Sequence, residues 1–325
     1  MNNKNLLLSL LTTVLVFGLT GGSYGQDVTV SGFADIIYTQ FNETVEPENG
    51  TPNLSERKFT VTGEVDFEKK VDPVTFRMDL DIPVTGNQAA NITAGTSLNI
   101  EQAKFIWALP QAKALGLSLT GGAFNAPIGF EAQDAPDMLQ TSNGQLFALV
   151  PSNLAGVMLS GAVGPVKLDA YYANEWIGNT SEENSVGALI TLSPIEKTSL
   201  AVGLIHPTKS VGNQDVVDVV LTTEMIPTLL VAVEYLQDRN TDAYGITLNH
   251  SHGNHGLTVR YDMVDNDLTG QDPYTLTIAP SLVLSSMLST VLEWKYTETD
   301  APAGFVPPAG DGDGNLLTLE FVVTF

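Results

Sequence analysis

Residues 58–68 alternate without a break between two chemistries, and that alternation decides what the chain can become. Phe59, Val61, Gly63, Val65 and Phe67 fall on one side, and Lys58, Thr60, Thr62, Glu64, Asp66 and Glu68 on the other. A repeat of two belongs to a strand, whose side chains point alternately to opposite faces, so this segment separates oil from water. The next stretch does the same, with Val74, Phe76, Met78, Leu80 and Ile82 set against Thr75, Arg77, Asp79 and Asp81. Lys69 to Pro73 joins the two as a hairpin. The same period continues and predicts strands over 27–41, 57–68, 74–84, 97–109, 116–124, 153–163, 166–175, 184–193, 198–206, 215–225, 228–237, 242–250, 256–264, 273–283, 288–298 and 314–325. The strand at 97–109 is the least regular. Gln102 and Lys104 do not fit a simple apolar face, which predicts a bulge there.

The connections alternate in length. Short ones centre on Pro73, Pro110, Pro165, Pro194, Pro227, the segment His250–His255 and Ser285-Ser286, and proline belongs at turns because it cannot donate to a sheet ladder. Long ones lie near 42–56, 85–96, 125–152, 207–214, 264–273 and 299–313. Short turns at one end and long loops at the other mark an outer-membrane barrel. Aromatic residues on the apolar face sort in the same way. With the first strand running outward, Tyr38, Phe59, Tyr172, Tyr235, Tyr244, Tyr261, Tyr274 and Tyr296 fall near the outer rim, and Phe67, Phe76 and Phe321 near the inner one. Aromatic rings prefer the headgroup level, so two girdles result. In lipid every backbone N–H and C=O needs an internal partner, so a spanning sheet must close on itself. The expected fold is therefore all-β: a transmembrane antiparallel β-barrel of about sixteen strands with both ends on the periplasmic side. That strand number leaves an aqueous lumen, into which the loop 125–152 is expected to fold.

Lys4, the apolar stretch Leu6 to Leu19, and Ser23-Tyr24-Gly25 before Gln26 have the form of a secretory signal peptide. The expected division is a signal peptide over 1–25 and a barrel over 26–325, in the bacterial outer membrane with its lipid as a partner. There are no cysteines, which excludes disulfides and thiolate metal or redox chemistry. The 14 Lys and Arg face 37 Asp and Glu, which argues against nucleic acid as a partner. The last residues alternate again, and the chain stops on Phe325. This resembles the terminal strand that outer-membrane proteins present to the barrel assembly machinery, making Phe325 the candidate assembly signal.

The entry to the longest connection reads Gly121-Gly122-Ala123-Phe124-Asn125-Ala126-Pro127-Ile128-Gly129-Phe130-Glu131, then Ala135-Pro136-Asp137, then Leu146-Phe147, Pro151 and Gly156-Val157. Over about 117–160 this is similar to the OmpL-like β-barrel porin family, although Met138-Leu139-Gln140 departs from the polar and aromatic run usual there. The resemblance implies a channel for small hydrophilic solutes and supplies no catalytic residue, so no enzyme activity and no cofactor are expected.

The candidate pore-lining residues are the charges opposite the apolar stripes: Lys58, Glu64, Asp66, Arg77, Asp79, Asp81, Lys167, Asp169, Arg260, Asp262, Glu293 and Lys295. The candidate constriction loop contributes Phe130, Glu131, Asp134 and Asp137, with Phe130, Met138 and Phe147 expected to pack on the wall. Acids outnumber bases, and carboxylates lining a pore favour cations. His250, His252 and His255 sit close enough in sequence to be a metal candidate, although the same six residues also make a polar turn. A passive, cation-preferring porin leads. The alternatives are a substrate-selective channel and a structural or adhesive barrel, and a homotrimer is compatible with sixteen strands.

Overall fold

The computed structural model describes residues 28–45, 54–82, 99–174, 184–208, 215–267, 270, 272–299 and 312–325. The expected signal peptide and most of the expected long connections at 42–56, 85–96, 207–214 and 299–313 lie outside the described residues.

Sixteen antiparallel strands are described: β1 Thr29–Val45, β2 Leu54–Val71, β3 Val74–Asp81, β4 Asn99–Ala108, β5 Ser118–Asn125, β6 Asn153–Val163, β7 Val166–Asn174, β8 Asn184–Ile195, β9 Thr198–Pro207, β10 Val216–Ile226, β11 Leu229–Asp238, β12 Thr241–His252, β13 His255–Asn266, β14 Tyr274–Ser285, β15 Leu288–Thr299 and β16 Gly312–Thr324. Each pairs with its sequence neighbours, and β1 pairs with β16, so the sheet is a closed barrel. Along that seam Phe33 to Val45 lie opposite Thr324 to Gly312. Gly32 and Phe325 add a reciprocal pair of backbone bonds of 3.2 and 3.1 Å at its end. The Phe325 ring lies so close to Gly32 that a Cβ there would sit 2.8 Å from it.

The barrel is inside-out relative to a water-soluble fold. On β15 Glu293 is 0% exposed while its neighbours Leu292 and Trp294 are 44% and 37% exposed. On β13 Thr258, Arg260 and Asp262 are buried, whereas Leu257 and Tyr261 are exposed. An apolar outer face with polar groups turned inward is what hydrocarbon on one side and a lumen on the other require. Seven of the eight aromatic residues assigned to the outer rim touch across neighbouring strands. Ring centroids are 4.9 Å apart for Tyr38 and Phe59, 5.2 Å for Tyr235 and Tyr244, 5.8 Å for Tyr261 and Tyr274, and 6.0 Å for Tyr274 and Tyr296.

Two details differ from the alternation read in the sequence. Pro194 is not a turn residue. β8 runs on to Ile195 and the turn is Glu196-Lys197, because the pairing with β9 slips between Leu192 and Ile195 and a proline without an N–H fits at such an irregularity. Lys197, the second residue of that turn, takes a positive φ of 61°. Pro110 opens a 3-10 turn, Pro110–Leu115, instead of a tight hairpin. The bulge expected in the fourth strand is present. Asp79 lies opposite Gln102 and Leu80 opposite Ile100, so Glu101 is the extra residue. Glu101 and Gln102 are in consequence both buried.

Candidate functional site

The connection between β5 and β6 crosses the inside of the barrel. Two short 3-10 turns, Ala135–Asp137 and Leu146–Leu149, give it shape. Its backbone has no ladder of its own, so its N–H groups must find partners elsewhere, and they find carboxylates that the wall turns inward. Gly129 N–H donates to Asp218 Oδ2 at 3.0 Å and Phe130 N–H to Glu234 Oε1 at 3.2 Å. Ser142 gives Glu293 both its N–H, at 3.0 Å, and its hydroxyl, at 2.6 Å. Gln145 N–H donates to Asp262 Oδ1 at 2.7 Å. In the reverse sense Lys295 Nζ reaches Asn143 O at 3.0 Å and Thr258 Oγ1 reaches Leu139 O at 2.7 Å.

Arg260 is the centre of this attachment. Its guanidinium pairs with Glu131 of the loop and with Asp262 on its own strand at 3.1 Å, and it also donates to Ser142 O at 2.9 Å and Thr277 Oγ1 at 3.1 Å. Glu131 in turn accepts from Gly144 N–H at 2.6 Å and from Gln140 Nε2 at 2.6 Å, so one carboxylate ties the outgoing and returning arms of the loop together. Charge-assisted bonds of this kind are the stronger ones.

An apolar contact completes the docking. Leu146 and Val150 of the loop are buried with Ile205, Val216, Leu236, Ala243 and Val264 of β9 to β13, and Ile128 and Leu149 pack against the group. The expected anchors Phe130, Met138 and Phe147 are only half-buried. The difference arises because these lumen-facing wall residues are themselves apolar and select the aliphatic side chains of the return arm.

The twelve wall charges therefore divide. Arg260, Asp262, Glu293 and Lys295 face inward but are occupied in holding the loop. Lys58 lies with Glu56 at 3.9 Å, both about half exposed, toward the long-loop end of β2. Lys167 pairs with the buried Asp169 at 2.9 Å. Glu64, Asp66, Arg77, Asp79 and Asp81 form one patch on β2 and β3, to which the bulged β4 adds Glu101, Gln102 and Lys104. Within it Arg77 Nε grips both oxygens of Asp79 at 2.8 and 2.9 Å, and Gln102 Nε2 reaches Asp79 Oδ2 at 2.6 Å. Asp134 approaches the patch from the loop. Burial, followed by repulsion from Glu101, Asp137, Asp66 and Asp79, pushes its carboxyl up to about 7. Asp137 is exposed.

Asp218, Glu101 and Glu234 carry much of this arrangement without standing among those twelve. The parity rule turns Glu234 inward from the sequence alone. Glu101 is hidden by the bulge, and Asp218 by the apolar residues on both faces of β10. The three histidines do not converge. His252 lies opposite His255, His250 Nδ1 is 3.2 Å from Thr228 Oγ1, and their nitrogens are not gathered as a metal would need. Their strands continue to a two-residue turn at Gly253-Asn254, which sets the side chains along the outside of a hairpin.

The family described as "Putative beta-barrel porin-2, OmpL-like" matches residues 27–292. The chain belongs to this family. It is a porin, and solved porins share its fold. The anion-selective porin from Comamonas acidovorans aligns with a TM-score of 0.65 at 11% identity, over 92% of this chain and 99% of that one. Two mutants of the Rh. blastica porin align with TM-scores of 0.58 and 0.59 at 16% and 15% identity, over 92% of this chain and 100% of theirs. No curated protein matches the porin in sequence.

Proposed function

We propose that this porin is a passive diffusion channel for small hydrophilic solutes that prefers cations, with loop 125–152 as its constriction. The observation that carries the reading is the unequal use of wall charge. The charges of β10 to β15 hold the loop, whereas the patch on β2 to β4 leaves Glu64, Asp66, Asp79, Asp81 and Glu101, with Asp134 opposite, against only Arg77 and Lys104. An excess of carboxylates in a narrow passage favours cations, and a Debye length of about 8 Å at physiological ionic strength leaves that field effective across it. The protein is exported by its signal peptide, inserted by the barrel assembly machinery and seated in outer-membrane lipid, where sixteen strands are compatible with a homotrimer. Reconstituted in a planar bilayer under a KCl gradient, it should give a cation-directed reversal potential that fades in molar salt. A zero or anion-directed potential would refute the preference.

A substrate-selective channel is the second reading. It is favoured by a cavity of about 180 Å³ beside the loop, where Phe130, Met138, Leu139 and Leu230 stand next to Glu131 and Asp137. With Glu131 held by Arg260, the exposed Asp137 is the carboxylate left for a ligand, and such a lining suits a solute with an apolar body and a cationic end. Competition of an amphipathic amine with K⁺ current, absent for a neutral sugar, would support it.

A further inference from the structure

We propose that Glu64, Asp81 and Glu101 form a calcium site on the inner wall of the barrel. The three groups come from β2, β3 and β4, so a bound ion would tie these strands together on the side where no Arg260 exists.

Three observations converge on a ligand. The first is the gathering itself: one oxygen from each of Glu64, Asp81 and Glu101 lies within 4.8 Å of the other two. Two oxygens on opposite sides of a calcium ion lie at most about 5 Å apart, since each bond is about 2.3–2.6 Å. A second triple, Glu64, Asp66 and Asp79, meets the same condition, but Arg77 already pairs with two of its three carboxylates.

The second is the state of Glu64. Its side chain is buried, with the residue 2% exposed, and among the described residues the groups within hydrogen-bonding reach of it are other carboxylates, those of Asp66, Asp81 and Glu101. Among the described residues no Lys or Arg lies within ion-pair distance of Glu64, Asp81 or Glu101. Glu101 accepts one bond, from Asn153 Nδ2 at 3.3 Å. A buried carboxylate that faces other carboxylates has a large desolvation cost, and a cation placed among the three offsets it.

The third is how the nearby cations are spent. Arg77 is bound to Asp79 and Asp66, and the Lys104 ammonium donates to the side-chain carbonyl of Gln102. Neither makes an ion pair with Glu64, Asp81 or Glu101. Oxygen-only ligands, mostly carboxylate, in an irregular cage suit calcium. Magnesium holds to a tight octahedron and keeps its waters.

The site requires no assumption about selectivity, and its test draws no current, so it fails separately from the proposed channel preference. The porin, folded in detergent and washed with EDTA, is titrated with CaCl2 in a calorimeter, and its thermal unfolding is followed with and without calcium. The expected result is one saturable site with a dissociation constant of about 10⁻⁴–10⁻³ M and a higher unfolding midpoint with calcium. Glu64→Gln and Glu101→Gln, which keep size and remove charge, should each weaken binding by about tenfold or more. Glu196→Gln, in the exposed turn after β8, should bind as the parent does. Heat-modifiable migration on gels certifies that each variant is a folded barrel. Absence of saturable binding in the parent, or equal affinity in all three variants, would overturn the site and mean that protons alone relieve the cluster.

Discussion

Arg260→Ala should release the loop without opening the barrel. The guanidinium is almost fully enclosed, its side chain 3% exposed, and it is shared by Glu131, Asp262, Ser142 and Thr277. Its removal leaves two buried carboxylates without their cation, and breaking a buried pair in this way costs about 3–5 kcal/mol. Each 1.4 kcal/mol is a factor of ten, so the undocked fraction of the loop should rise by about 10² to 4 × 10³. Water entering the vacated space offsets part of the cost, which makes the lower figure the one to test. The ladder that closes the barrel is untouched, so heat-modifiable migration should persist. Undocking can be read by limited proteolysis, since cleavage follows the open population when opening is fast. Loop residues 125–152 contain no Lys or Arg, so chymotrypsin is the useful enzyme, cutting after Phe130 and Phe147. The initial rate should rise about 100-fold, and adding Glu131→Gln should recover part of the loss, because the double variant leaves one buried charge fewer. A cleavage rate equal to that of the parent, in a folded barrel, would show that the Arg260 cluster does not hold the loop.

The loop carboxyl Asp134 is raised to about 7 by burial and by its acidic neighbours. The folded state therefore binds its proton more tightly than the unfolded chain does, and the docked loop loses stability as pH rises from the ordinary carboxylate range through about 7. Over the same interval the charge appears in the passage, so cation preference should grow between pH 6 and 8, and Asp134→Asn should flatten that dependence of the reversal potential. Deleting residues 132–148 should raise unit conductance, and an unchanged conductance in a folded barrel would place the constriction elsewhere. Removing Phe325 strips the seam of its reciprocal bonds to Gly32. Outer-membrane levels should fall at native expression, as a surface immunoblot would record.

Where every outward residue is apolar and every inward one polar, the sequence alone was enough. β13 shows this, with Leu257, Val259 and Tyr261 against Thr258, Arg260 and Asp262, and so do the pairs along β2 and β3. Legibility failed where the lumen itself is apolar. Val216, Leu236 and Val264 point inward, so β10 reads as apolar on both faces and Asp218 between them shows no parity. Those residues are apolar because Leu146 and Val150 cover them, a fact that sits some 60–120 positions away in the chain. The bulge hid Glu101 for a different reason: one extra residue inverts the alternation, and a period of two gives no warning of which side the inversion favours. Glu64, Asp79, Asp169, Arg260, Asp262 and Glu293 are buried, but which wall charges are occupied by the loop is a property of its path, and no periodicity encodes that path.

The joining of β1 to β16 sets an order in time. Every other pairing links strands that are consecutive in the chain and can form as soon as both exist. The pairing of Phe33 to Val45 with Thr324 to Gly312 spans almost the entire polypeptide. Until it forms, both outer edges of the growing sheet carry rows of unpaired N–H and C=O groups, and such edges recruit other chains. Loop-closure entropy over that separation also makes this step the slow one. An intermediate with fifteen strands is thus a more hazardous species than the extended chain, and whatever guides assembly must shield the edge of β1 until the final residues arrive.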